Sequence, residues 1–286
     1  MDIIIFSKDR AFQLYTSLET IKKHVSGVNN IYVQFNYSNN NYLEGYLKLN
    51  NIFEDVIFID ETSFGFQNTL TILLRDEIKS TNVVLEVDDT IYYRNLNLNK
   101  CDELFLNSPD AGKYCFGIDY LIFDQRWFMD HQSHLSVDRN LKNIKLPLQD
   151  LSLKYPFNAS SAIHRRQDVL NLLKTPNINN PVQLEIEGSN SLIFNNYKYN
   201  LFNKKEVVKQ IHTNNSLNRY KEVYNISYLN NLILNDEVID INKFKVESFS
   251  TDMRWFNGEE IGRFPIFPWE IPPIHHKEII NTRRKL

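Results

Sequence analysis

The chain has 286 residues, 42% of them hydrophobic, with a formal net charge of −3. That is material for one large domain or two small ones with a proper core, and the near balance of charge excludes a strong electrostatic case for nucleic acid, which is not expected as a partner. Two cysteines, Cys101 and Cys115, give neither a disulfide framework nor zinc spacing and suit a reducing compartment.

The first ninety residues alternate strand and helix patterns. "DIIIFS" (2–7) is a short apolar strand, and residues 11–25 place Phe12, Leu14, Leu18 and Ile21 on one helical face. "IYVQFNY" (31–37) is a second strand, followed by a short helix over 42–50. "VIFIDE" (56–61) is a third strand, a helix is expected over 66–80, and "VVLEVDD" (83–89) is a fourth strand. Such alternation implies βαβ units and a parallel sheet, with ligands at the carboxyl ends of the strands. Beyond residue 90 the pattern loosens. Strands are expected over 113–123 and 206–214, and helices over 161–175, within "VQLEIEGSNSLIFNN" and over 223–235. The Pro- and aromatic-rich end, "RFPIFPWEIPPIHHKEIINTRRKL", is expected to wrap over the domain surface. The fold class is therefore α/β: a mostly parallel, Rossmann-type sheet flanked by helices in a single domain with an irregular C-terminal extension.

No apolar run has the length needed to cross a bilayer. "MDIIIF" is too short for a signal peptide and has no basic leader, so a cytoplasmic protein is expected.

Glu86, Asp88 and Asp89 crowd the end of the fourth strand. Adjacent Asp residues after a strand often build a turn or cap a helix. Here Glu86 and Asp88 share a strand face by the period of two, and their repulsion calls for a counter-charge. A hard divalent cation with oxygen ligands supplies one, and bridged to a diphosphate it would neutralise a departing nucleotide. There is no G-x-G-x-x-G and no Walker A loop, which fits a metal-held diphosphate.

The opening "IIIFSKDRAFQLYTSLETI" resembles the start of family 2-like glycosyltransferases with the GT-A fold, and "VVLEVDD" is similar to their DXD region. "YPFNASSAIHRRQDVLNLL" and "PVQLEIEG" resemble their acceptor-side segments, and "VVKQIHTNN" a late strand and turn near the nucleotide. A strict DXD is absent, since the spacing gives Glu86-Val87-Asp88 or the pair Asp88-Asp89. The resemblance implies a GT-A-like fold. Residues 1–95 would be the nucleotide-sugar-binding half, 96–235 the acceptor-binding half, and 236–286 an extension packing on the domain. It implies a hexosyltransferase, inverting by default, moving a sugar from a nucleotide-sugar, a UDP-sugar foremost, to a glycan or lipid-linked acceptor. The setting would be bacterial surface polysaccharide biosynthesis, with Mn2+ or Mg2+ as cofactor.

Roles follow, in part from this resemblance (the 7–10 turn, the acidic pair and Glu185) and in part from position and side-chain chemistry. Ser7, Lys8, Asp9, Arg10, Asp60, Gln67, Asn68 and Asp88 would bind the nucleotide-sugar, Asp60 with its neighbour Glu61 at the base or ribose; the alternatives are a solvated 8–10 turn with Asp9 as N-cap and a plain surface loop at 60–61. Asp88, Asp89 and His212 would hold the metal. Glu185 or Glu187 would be the catalytic base, with Asp119 and Asp124 as rivals. His164, Arg165 and Arg166 face a phosphate or form a polar helix end, and Trp127, Trp255 and Trp269 stack on a sugar or pack in the core. The basic end Arg283-Arg284-Lys285 suits contact with the inner face of a membrane. Two alternatives stand beside the transferase: a nucleotidyltransferase, disfavoured by the lack of a Gly-rich basic loop, and a catalytically inactive GT-A-like binding or scaffold protein.

Overall fold

The computed structural model describes residues 1–116, 143–147, 156–203, 207–210, 225–238 and 241. Strand β1 (Asp2–Lys8) leads through Asp9 and Arg10 into α1 (Ala11–His24). The short β2 (Val25–Ser26), β3 (Ile31–Asn36), α2 (Asn40–Ile52) and β4 (Val56–Asp60) follow. Helix α3 (Phe66–Ile72) passes into a π-helical turn (Leu73–Glu77), then come β5 (Asn82–Val87), β6 (Thr90–Tyr92), β7 (Leu96–Asn97) and α4 (Leu98–Leu106). The second half contributes β8 (Ala111–Cys115), β9 (Asn143–Pro147), β10 (Ala162–Arg165), α5 (Arg166–Leu172), α6 (Pro181–Asn190), α7 (Leu192–Asn195), β11 (Tyr199–Asn203), β12 (Val208–Gln210) and α8 (Ile226–Leu234).

Among the described residues the main sheet has eight strands in the order β4-β3-β1-β5-β10-β8-β11-β9. The first four are mutually parallel. Strand β10 is antiparallel to both β5 and β8, β11 is parallel to β8, and β9 is antiparallel to β11. The result is a mixed, mostly parallel α/β sheet, as the sequence pattern implies.

Burial on both faces explains the unbroken apolar runs of the inner strands. Side chains alternate across β1: Ile3 and Ile5 enter a core with α1, α2, α4 and α8, while Ile4 and Phe6 enter a second core with α3, α5, α6 and α7. Val84 of β5 joins the first core, and Val83 and Leu85 join the second. Phe12, Leu14, Leu18 and Ile21 of α1 are all buried in the first core. Gly65 starts α3 with φ 75° and ψ 163°, a conformation that a Cβ disfavours.

Three expectations change. The helix over 66–80 is not one α-helix, because it widens into a π turn closed by Ile78 N–H donating to Leu73 O. Arg166 Nη1 donates to Leu74 O and Ile78 O at 2.9 and 3.1 Å and fixes that turn. The helix over 161–175 begins as a strand, because β10 takes the open edge of β5, and only from Arg166 does the chain turn helical. The chain over 90–106, given no element by the sequence, forms β6, β7 and α4. Of the two expected strands, β8 overlaps the described part of 113–123, starting two residues earlier, and β12 lies in the described part of 206–214.

Candidate active site

Parallel pairing of β1 with β5 sets the site. Phe6 pairs with Val87, so the turn after β1 and the acidic turn after β5 emerge side by side at the carboxyl edge. The ladder continues past the strand end, with Asp88 N–H donating to Phe6 O. Ser7 Oγ donates to Asp88 Oδ2 at 2.8 Å and shares a 2.7 Å hydrogen bond with the Tyr46 hydroxyl. That hydroxyl also accepts from Arg10 N–H at 3.1 Å. Arg10 Nη1 reaches both acids, 3.2 Å from Asp88 Oδ1 and 3.3 Å from Asp89 Oδ2. Both Asp residues are buried. Burial pushes the Asp88 carboxyl up to about 6, with Arg10 pulling the other way and Asp89 adding to the rise.

Glu86 has other partners. Its fully buried carboxylate accepts from Thr90 Oγ1 at 2.6 Å, Tyr92 OH at 2.8 Å, Val87 N–H at 3.0 Å and Ser161 N–H at 3.2 Å. Ser160 Oγ and Ser161 Oγ also donate to it. Burial raises its pKa against the effect of these bonds. Ser161 is held at φ 51°, a left-handed conformation uncommon for a side-chain-bearing residue. The next link is Ala159, whose N–H donates to Glu185 Oε1 at 2.8 Å. A chain of hydrogen bonds and backbone thus joins the buried acid of β5 to Glu185 on α6. Pro181 opens that helix and the Asn180 side chain caps it.

The other candidates fall in several places. Asp9 is not the N-cap of α1: it sits at φ 59°, and its carboxylate accepts from Ser38 N–H at 2.7 Å and Ser38 Oγ at 2.5 Å. Arg10 is the capping position instead, its C=O accepting from Leu14 N–H. Lys8 is exposed. Asp60 is exposed and makes a local turn to Thr62 N–H. Glu61 beside it is buried and accepts from Gln34 Nε2 at 2.6 Å and Asn36 Nδ2 at 3.0 Å.

Gln67 is a correction. Its amide donates to Leu173 O and Thr175 O and accepts from Ile178 N–H, so it fastens the 173–178 loop rather than facing the acidic edge. Asn68 is exposed and donates to Phe64 O within its own turn. Glu187 follows Glu185 by two helical residues, about 200° around α6, so the two carboxylates do not point to one place.

The basic triplet is structural. His164 is buried in β10, its Nε2 2.7 Å from Asn158 O and its ring 4.3 Å from that of Phe157. Arg165 donates to the carbonyls of Ala111, Ser108 and Pro109, and Arg166 to the π turn. His212, Asp119, Asp124, the three tryptophans and the basic C-terminus lie outside the described residues.

Sequence reasoning missed Tyr46, Ser160 and Ser161. Tyr46 reads as one apolar position of α2, and Ser160 and Ser161 read as the entry to the helix expected over 161–175.

The donor chemistry of the acidic pair fits a hard cation. Two carboxylate oxygens converge on one cationic nitrogen, and Mn2+ or Mg2+ takes such oxygens. No group of three or more His, Cys, Asp or Glu able to hold a metal occurs among the described residues. Two carboxylates plus substrate phosphates and water is the usual set for Mg2+ on a nucleotide. Among the described residues no helix is long and apolar enough to cross a membrane.

No known family profile matches the chain. Over 302 positions, 88% of this chain, it is 26% identical to the bifunctional glycosyltransferase pgtA of Dictyostelium discoideum, and it spans 38% of that protein's length. Solved structures with similarity include S. aureus TarS 1-349 in complex with UDP-GlcNAc, at 10% identity and TM-score 0.46, covering 72% of this chain and 57% of that one. The mannosyltransferase PcManGT from Pyrobaculum calidifontis, in complex with GDP-Man and Mn2+, is 17% identical at TM-score 0.40, covering 60% of this chain and 46% of that one. The sequence similarity is thus to a glycosyltransferase along most of the chain.

Proposed function

We propose that the protein is a GT-A-like glycosyltransferase that moves a sugar from a nucleotide-sugar to an acceptor hydroxyl, with Mn2+ or Mg2+ held by Asp88 and Asp89. One observation carries this: the convergence of Asp88 and Asp89 with the Ser7–Arg10 turn at the carboxyl edge of the parallel half, where open α/β sheets take ligands. The similarity to a glycosyltransferase over 88% of the chain supports it.

In this scheme residues 1–95 hold the donor. Asp9, Ser38 and Glu61 border the outer part of the edge and would meet the base and ribose; Ser7, Lys8 and Arg10 would meet the diphosphate. A bound divalent cation would neutralise the charge that develops on the departing diphosphate. Residues 96–235 take the acceptor. Glu185 takes the proton from the acceptor hydroxyl as that oxygen attacks the anomeric carbon opposite the diphosphate, giving inversion. The Ala159 N–H bond holds one oxygen of that carboxylate in place. The donor is a UDP-sugar. The acceptor is a glycan or lipid-linked glycan of bacterial surface polysaccharide assembly, met in the cytoplasm with the basic C-terminus at the membrane.

The test is a melting experiment with UDP, GDP, CDP and CMP, each with and without Mn2+. A ligand specific to the folded state at 100 times its Kd adds about 2.7 kcal/mol. A Mn2+-dependent shift with one nucleotide is expected; no shift with any of them refutes the proposal.

A further inference from the structure

Arg10 sits where a cation would sit. A guanidinium prefers to place two nitrogens on one carboxylate. Here a single nitrogen, Nη1, bridges two carboxylates, 3.2 Å from Asp88 Oδ1 and 3.3 Å from Asp89 Oδ2. That is the geometry of a point charge shared by two oxygen ligands. The group is also largely removed from water, with side-chain exposures of 14% for Arg10, 4% for Asp88 and 6% for Asp89.

The backbone of Arg10 is fixed while its head group reaches over the site. Its N–H donates to Tyr46 OH and its C=O starts α1. Two adjacent buried carboxylates need a counter-charge to stay ionised side by side, and this chain supplies its own. The same two oxygens cannot be given fully to Nη1 and to a divalent ion, because the ion's bonds are shorter and would place two positive charges in contact.

We propose that Arg10 is the resident counter-cation of the Asp88–Asp89 pair, and that a divalent ion enters by exchange with it. This rests on the assignment of Asp88 and Asp89 as the cation ligands. Once displaced, the guanidinium is left at the edge where the diphosphate arrives, and phosphate oxygens match its planar fork. The free protein therefore binds the ion weakly, and metal and nucleotide bind together better than either alone.

The experiment is a titration of the full chain with Mn2+ alone, following the free-ion signal by electron paramagnetic resonance. Arg10→Gln is expected to bind Mn2+ about tenfold or more tightly than wild type, the loss of one charge-assisted competitor. Lys8→Gln removes a positive charge from the same turn without touching the pair and is expected to change affinity far less. Asp89→Asn is expected to lose Mn2+ binding. Should Arg10→Gln fail to fold, Arg10→Met carries the test, since it keeps the aliphatic stem, removes the charge and should also tighten Mn2+.

Unchanged or weaker Mn2+ binding in the folded Arg10 variant, with Asp89→Asn still deficient, overturns the exchange and leaves the cation assignment standing. Equal tightening in Lys8→Gln overturns it too, as a net-charge effect. Equal Mn2+ binding by wild type and Asp89→Asn removes the cation assignment, and the exchange with it.

Discussion

Replacing Glu86 separates structure from charge at the centre of the site. Its carboxylate is fully buried and serves two close hydroxyl donors at 2.6 and 2.8 Å, from Thr90 and Tyr92, two backbone N–H groups, from Val87 and Ser161, and the longer contacts of the Ser160 and Ser161 hydroxyls. Glu86→Ala strands those donors in the core, and each unsatisfied buried group costs about 1–3 kcal/mol. Some relief comes from rotation of the hydroxyls and entry of water, so the expected loss is about 4 kcal/mol. At about 2–4 °C per kcal/mol for a chain of this class, Tm should fall by roughly 10 °C.

Glu86→Gln behaves differently. It keeps an oxygen at Oε1, where most of the donors converge, and its NH2 can donate to Tyr92 OH once that hydroxyl turns to accept. It loses only the extra strength of bonds to a charged acceptor, about 1–2 kcal/mol. Urea unfolding of both variants at pH 7 measures the two costs. A Glu86→Ala protein within 1 kcal/mol of wild type, or a Glu86→Gln protein as damaged as the Ala variant, refutes this account of the network.

Asp89→Asn should leave the melting temperature near that of wild type while abolishing Mn2+-dependent nucleotide binding and transfer; calorimetric titration with nucleotide and Mn2+ checks it, and wild-type binding would contradict the metal assignment. Glu185→Gln should bind the donor normally but lower transfer by at least about a hundredfold, the contribution of a positioned base, measured as a fall in kcat at unchanged donor affinity. For His164, burial pushes the imidazole down to about 3, with the charge of Lys113 adding to the fall. The unfolded side chain titrates near 6.5, so below that pH the unfolded state takes a proton that the folded state refuses. His164 therefore lowers stability as pH falls from about 6.5 toward 3, by up to about 1.4 kcal/mol per pH unit. Urea unfolding between pH 4.5 and 7.5 should show a shallower slope in His164→Gln; parallel slopes would count against it.

The sequence by itself determined the parallel half of the sheet. Ile3, Ile4 and Ile5 form a run too apolar for a half-exposed strand, and Phe12, Leu14, Leu18 and Ile21 mark the covering helix by their spacing. Asp88 and Asp89 were legible because carboxylates at the end of such a run conflict with burial, and that conflict is local to the chain. What tertiary structure decided was the partnership of each polar group. His164-Arg165-Arg166 looks like a basic helix start, yet its first two residues belong to a strand, because the open edge of β5 outweighs local helix preference. Gln67 looks poised for a ligand but is committed to carbonyls 106 and 108 residues away in sequence. Tyr46 meets Ser7 across 39 residues, and Ser161 meets Glu86 across 75. Periodicity reports which side of an element is apolar; it carries no information about which distant donor meets which acceptor. That is fixed only when the strands register and their carboxyl ends come together.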